Sequence, residues 1–93
     1  MKVVINDCYG GFGMTNAALE EYKSRRGITD ESFWYYDIPR DCALLVSMVE
    51  EQGSAMNSEY SDLKVVEIPD DVEWYIEEYD GMEHVAERHR TWR

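Results

Sequence analysis

The sequence predicts an α+β fold: a small two-layer sheet of about four strands with two helices, in the order β-α-β-α-β-β plus a short C-terminal strand or helix. Three observations carry this. Runs at Lys2–Asn6, Phe33–Tyr36, Lys64–Ile68 and Val72–Tyr79 have the length and the apolar, β-branched or aromatic character of strands. Between the first three lie two stretches whose apolar residues recur at helical spacing. Finally, 93 residues with 44% hydrophobic and 13% aromatic content suffice for one packed core but not two, so residues 1–93 are read as a single domain that folds alone or as a small oligomer.

Lys2-Val3-Val4-Ile5-Asn6 ends at Asn6-Asp7 and then glycines, the pattern of a buried strand entering a loop. From Thr15, Ala17, Ala18, Leu19 and Tyr22 follow helical spacing. Thr15 or Asn16 is available as a cap and Gly27 as the stop, and Lys23, Arg25 and Arg26 complement the negative end of the dipole, giving a helix over about 15–26. Phe33-Trp34-Tyr35-Tyr36, stopped by Pro39, gives a second strand. Asp41 stands as N-cap before Leu44, Leu45, Met48 and Val49, so a second helix runs about 42–52 and stops at Gly53. Ser54–Ser61 is a polar connection. Lys64–Ile68 is a β-branched strand ended by Pro69-Asp70-Asp71. Val72, Trp74, Ile76 and Glu78 alternate with Glu73, Tyr75, Glu77 and Tyr79, as in a half-buried antiparallel strand, and these two strands are expected to pair as a hairpin. Asp80-Gly81 is a turn signal, after which Met82–Arg90 reads as either a strand or a short helix.

Charge excludes several function classes. Nine Lys+Arg against 20 Asp+Glu leave a formal charge of -11, so long-range repulsion opposes direct binding to nucleic acid or an anionic membrane. No apolar run has the length of a membrane span, and the first residues lack a signal-peptide core, so a cytoplasmic protein is expected. Cys8 and Cys42 make neither a disulfide scaffold nor a Cys-x-x-Cys site and are read as reduced thiols. With two His and no ligand spacing, no metal or other cofactor is expected.

The same charge is unevenly distributed: residues 1–64 carry a net -5, residues 65–87 nine acids and no Lys or Arg, and residues 88–93 three Arg. Glu73, Glu77, Asp80 and Glu83 in the acidic block fall mostly at outward positions of the alternation. They could imitate a phosphate backbone toward a basic protein; the competing reading is a solvated sheet face. Gly10-Gly11-x-Gly13, with Thr15 at the following helix start, could bring backbone N–H groups to an anion, although the spacing matches neither a Walker loop nor a dinucleotide fingerprint. The competing reading is a tight turn needing positive φ. Were the first two strands parallel neighbours, Arg40 would face that turn from the carboxyl edge of the sheet; otherwise it is a partner for Asp37 or Asp41. His84, Arg88, His89, Arg90, Trp92 and Arg93 form a cationic tail with a stacking surface, whose competing role is to neutralise the adjacent acids. Cys8 with His84 or His89 as base would be a nucleophile; an inert buried Cys is the stronger reading, so catalysis ranks third. Trp34, Tyr35, Trp74 and Tyr75 are assigned to core and cross-strand packing.

Asn6-Asp7-Cys8-Tyr9-Gly10-Gly11-Phe12-Gly13, Glu67-Ile68-Pro69-Asp70-Asp71-Val72-Glu73-Trp74, Glu77-Glu78-Tyr79-Asp80-Gly81 and His89-Arg90-Thr91-Trp92 together resemble a family of small hypothetical proteins of bacteriophages and prophages. Met14 stands where that family has Leu, and Ser24-Arg25-Arg26 lies in a variable stretch. The resemblance implies a genomic setting, an accessory protein acting on a host or its defences; it carries over no catalytic residue. Two readings follow. In the first, the protein sequesters a small anionic ligand, such as a signalling nucleotide, through Gly10, Gly11, Gly13, Thr15, Arg40, His84, Arg88, Arg90 and Trp92. In the second, its acidic face blocks a basic host defence protein, as acidic anti-CRISPR proteins do.

Overall fold

Residues 1–88, which the computed structural model describes, form two helices and two antiparallel two-stranded sheets. The fold is therefore α+β. In chain order the elements are β1 (Lys2–Asn6), α1 (Asn16–Arg26), α2 (Ala43–Gln52), β2 (Leu63–Glu67), β3 (Trp74–Tyr79) and β4 (Met82–Glu87), with short 3₁₀ turns at Tyr35–Asp37 and Gly53–Met56.

Local chemistry sets the helices. Thr15 Oγ1 accepts the Ala18 N–H at 3.1 Å, and Gly27 closes α1 in the left-handed conformation after a last turn holding Lys23, Arg25 and Arg26. Helix α2 is capped by Cys42, not by Asp41 as the sequence suggested, and buries Leu45, Val46, Met48 and Val49. These side chains meet Ala18, Leu19 and Tyr22 of α1, Val4 of β1, Phe12 and Met14 of the first loop, and Leu63 of β2 in one core.

The second expected strand does not exist. Asp30 Oδ1 accepts from Ser32 N and Oγ, and Asp37 Oδ2 accepts the Trp34 N–H at 2.8 Å, so carboxylates curl residues 30–38 into turns in place of a ladder. The aromatic residues pack from those turns: Phe33 stacks on Tyr22 with centroids 6.1 Å apart, and Tyr35 meets Phe12 edge-on. A parallel pairing of residues 33–36 with β1 is thereby ruled out as the reason for any approach of Arg40.

β1 pairs with β2 instead, Lys2 opposite Glu67, Val4 opposite Val65 and Asn6 opposite Leu63. The expected hairpin between residues 64–68 and 72–79 is corrected accordingly: Pro69-Asp70-Asp71 leads the chain out of the first sheet, and β3 pairs with β4, Tyr75 opposite Ala86 and Glu77 opposite His84. Asp80 and Gly81 both have positive φ, 51° and 91°, the two-residue turn whose twist matches its strands, which settles Met82–Glu87 as a strand. In this register Glu83 shares a face with Ile76 and Val85 near the turn. It is buried, not outward as the alternation suggested. Among the described residues no helix is long and apolar enough to cross a membrane.

The glycine loop fits between neighbouring backbones. A Cβ on Gly10 would lie 2.0 Å from the Tyr60 carbonyl oxygen, and one on Gly81 2.4 Å from Gly11 N. Gly13 is different: its φ is not positive, and a Cβ there would meet ordinary contacts, 3.4 Å to Ser58 Oγ and 3.6 Å to Tyr35. Gly10→Ala is expected to cost about 1–3 kcal/mol and Gly13→Ala within about 0.5 kcal/mol of zero, read by urea unfolding. Equal losses at both positions would contradict this assignment of the glycines.

Candidate functional site

Of the residues singled out in the sequence, Arg40, Glu83 and the glycine loop meet at one end of β1, where the chain supplies both signs of charge. Val4 and Asn6 direct their N–H groups to the edge of β1 that β2 does not occupy. Val4 N donates to the Arg40 carbonyl at 2.8 Å and Asn6 N to Glu83 Oε1 at 2.9 Å. Arg40 then grips Glu83 through both nitrogens, Nη1 to Oε1 at 2.5 Å and Nη2 to Oε2 at 2.9 Å, while its guanidinium carbon lies 3.6 Å from the Phe12 ring centroid. The Glu83 side chain is 4% exposed and that of Arg40 17%. This fork-to-fork geometry is the strong form of a charge-assisted pair. Arg40 thus does approach the glycine loop, through Phe12, but its charge is matched by Glu83 and not by Asp37 or Asp41.

Asn6 was not singled out by the sequence reading and is the second organiser. Fully buried, it donates from Nδ2 to the carbonyls of Cys8 (2.7 Å) and Gly81 (2.8 Å) and accepts the Asp62 N–H at Oδ1 (2.8 Å). One amide therefore ties the glycine loop, the β3–β4 turn and the approach to β2. Its only sequence signal is a polar residue closing an apolar run, which also describes an ordinary strand end. Gly11 has φ 97°, as the turn reading expects, and a Cβ there would meet open space; the chain's own backbone closes in at Gly10, against Tyr60, and at Gly81, against Tyr9 and Gly11. Thr15 Oγ1 is occupied as the α1 cap.

Among the described residues, His84 and Arg88 also have neighbours on the hairpin. His84 Nε2 lies 2.7 Å from Glu77 Oε2 on the outward face of the hairpin, and Tyr75 Oη donates to Glu77 Oε1 at 2.9 Å. The Tyr75 and His84 hydrogen bonds hold the Glu77 carboxyl below its ordinary pKa. Arg88 sits over the Tyr75 ring at 5.8 Å. His89, Arg90, Trp92 and Arg93 lie outside the described residues. Glu73, Glu77 and Asp80 are exposed, as are Glu67, Asp70, Asp71, Glu78 and Glu87; of the nine acids between 65 and 87 only Glu83 is buried.

Cys8 and Cys42 are free thiols. Among the described residues His84 bonds Glu77 and makes no hydrogen bond to Cys8. Nor is any group of three His, Cys, Asp or Glu placed to hold a metal ion there. Cys42, which the sequence reading passed over, has the more distinctive surroundings. Its Sγ lies 3.2 Å from Tyr22 Oη and 3.7 Å from Arg26 Nη1, at the N-terminus of α2. Burial opposes ionisation of this thiol, yet the Tyr22 hydroxyl, the Leu45 and Leu44 amides and Arg26 outweigh it and hold the thiol below its usual pKa. Tyr22 moves the other way, pushed up to about 12 by its burial and by Cys42, so its hydroxyl keeps its proton and is available to donate once Cys42 is a thiolate.

Compared with protein-family models, curated proteins and solved structures, the chain matches none.

A lowered thiol pKa populates thiolate at lower pH. In a Cys8→Ser background, Tyr22→Phe is expected to slow alkylation of Cys42 by iodoacetamide at neutral pH and to move its pH–rate profile upward. A profile indifferent to that change would contradict the role given to Tyr22.

Proposed function

We propose that the protein is a non-catalytic binding protein whose acidic hairpin surface engages a basic partner protein, in the place where that partner holds a polyanion such as nucleic acid. The observation that carries this reading is the placement of charge. Between residues 65 and 87 eight of nine carboxylates face solvent and no Lys or Arg accompanies them. Exposed charge of one sign accelerates encounter with the opposite sign and suppresses other partners. A small-anion cradle at the glycine loop needs unmatched cations, whereas Arg40 is matched by Glu83 and His84 lies against Glu77. The family resemblance makes a bacterial defence protein the candidate partner.

The test reverses exposed charges and leaves the buried one alone. Glu73→Lys, Glu77→Lys and Asp80→Lys together move the formal charge from -11 to -5. All three sites are exposed, so the loss in stability should stay within about 1–2 kcal/mol, most of it from placing Lys at the positive φ of Asp80. Capture of a basic protein from bacterial lysate should fall about tenfold or more, and raised salt should do the same to the parent protein. Capture indifferent to both would overturn the proposal. So would a nucleotide mass retained in native mass spectrometry after exposure to a nucleotide pool, which would restore the sequestration reading.

A further inference from the structure

Four tyrosines around the glycine loop present most of their surface to solvent. Tyr9, Tyr36, Tyr60 and Tyr79 are 64%, 67%, 65% and 73% exposed. The glycine loop connects them. Tyr9 belongs to it, and the Tyr9 carbonyl would be 2.5 Å from a Cβ on Gly81; Gly10 rests against the Tyr60 backbone; the loop's Phe12 ring lies 6.4 Å from that of Tyr36. Tyr79 precedes the Asp80-Gly81 turn that seats on the same loop. Exposed carboxylates stand beside two of them: Glu59 precedes Tyr60, and Glu77 shares a strand face with Tyr79, whereas Asp7 before Tyr9 is paired with Lys64 and Asp37 after Tyr36 holds the Trp34 N–H.

A ring face beside a carboxylate suits one cation better than the other. Guanidinium is planar, weakly hydrated, stacks on aromatic faces and takes a carboxylate bidentately. An ammonium is a compact, strongly hydrated point charge that gains less from either contact. The protein uses this combination internally, where Arg40 lies over Phe12 while both its terminal nitrogens hold Glu83, and a looser version of the stacking where Arg88 lies over Tyr75. We infer that the tyrosine–carboxylate surface around the glycine loop is selective for arginine, so that the basic partner presents an arginine-rich segment to it. This rests on the proposed function and specifies its partner.

Fluorescence anisotropy with nona-arginine and nona-lysine peptides, at about 0.15 M salt, separates the two levels of the argument. The parent protein should bind the arginine peptide about tenfold more tightly. Tyr60→Leu with Tyr79→Leu, which keeps apolar bulk but removes the π faces, should reduce that preference to about twofold or less and leave lysine-peptide affinity unchanged. Tyr60→Phe with Tyr79→Phe should retain the preference. Equal affinity of the parent for both peptides would overturn arginine selectivity while leaving the acidic-surface reading intact. A preference that survives the leucine pair would also overturn the role of these tyrosines. Failure of either peptide to bind would overturn both inferences.

Discussion

A carboxylate removed from water must have its charge matched and its lone pairs filled, and Glu83 meets both demands with residues drawn from distant parts of the chain. Arg40 supplies the charge and two donors, and Asn6 N supplies a third. Desolvation of two charges is repaid only when the geometry is this complete. Among the described residues no buried side-chain nitrogen or oxygen lacks a partner. The consequences extend well past one ion pair. Glu83 and the Arg40 carbonyl cover the edge of β1 that would otherwise be open for pairing. The same contacts seat the β3–β4 hairpin on the body, while Asn6 fastens the glycine loop and the β3–β4 turn to each other. A two-stranded hairpin is only marginally stable by itself, so its position depends on this node.

The node also shapes the electrostatics available for function. It uses Arg40, which lies over Phe12 of the glycine loop, and withdraws one carboxylate from the acidic face, leaving the remaining acids of the hairpin segment in solvent. A buried ion pair that resolves its own charges and an exterior in which carboxylates outnumber cations is the division expected of a surface that selects a partner by charge. Tyrosines within that exterior supply the contact area that carboxylates alone lack.

Much of this was legible in the sequence where the signal is local. Thr15 and Gly27 delimit α1, Val3-Val4-Ile5 make a buried strand, and Asp80-Gly81 makes a hairpin turn, each through chemistry confined to a few neighbouring residues. Phe33–Tyr36 misled because β propensity was outweighed by Asp30 and Asp37 bonding backbone nearby, a competition that composition does not rank. Long-range partners were not legible. That β2 joins β1 and not β3, and that Glu83 turns inward to Arg40 across 43 positions, follow from tertiary packing, for which a single chain carries no pairing signal. The glycine loop reads in the sequence as either an anion cradle or a tight turn; in the structure Gly10 lies against the Tyr60 backbone and Gly81 against the Tyr9 and Gly11 backbone, contacts that no local signal announces.

The most direct test of this account is a double-mutant cycle at Arg40 and Glu83, measured by urea unfolding. Arg40→Ala and Glu83→Gln should each cost about 3–5 kcal/mol, because each leaves its partner buried without a counter-charge. The double variant should fall short of the sum by at least about 2 kcal/mol, the mark of groups acting as one unit. Losses that add to within about 0.5 kcal/mol would contradict the claim that this pair holds the hairpin, the β1 edge and the glycine loop together.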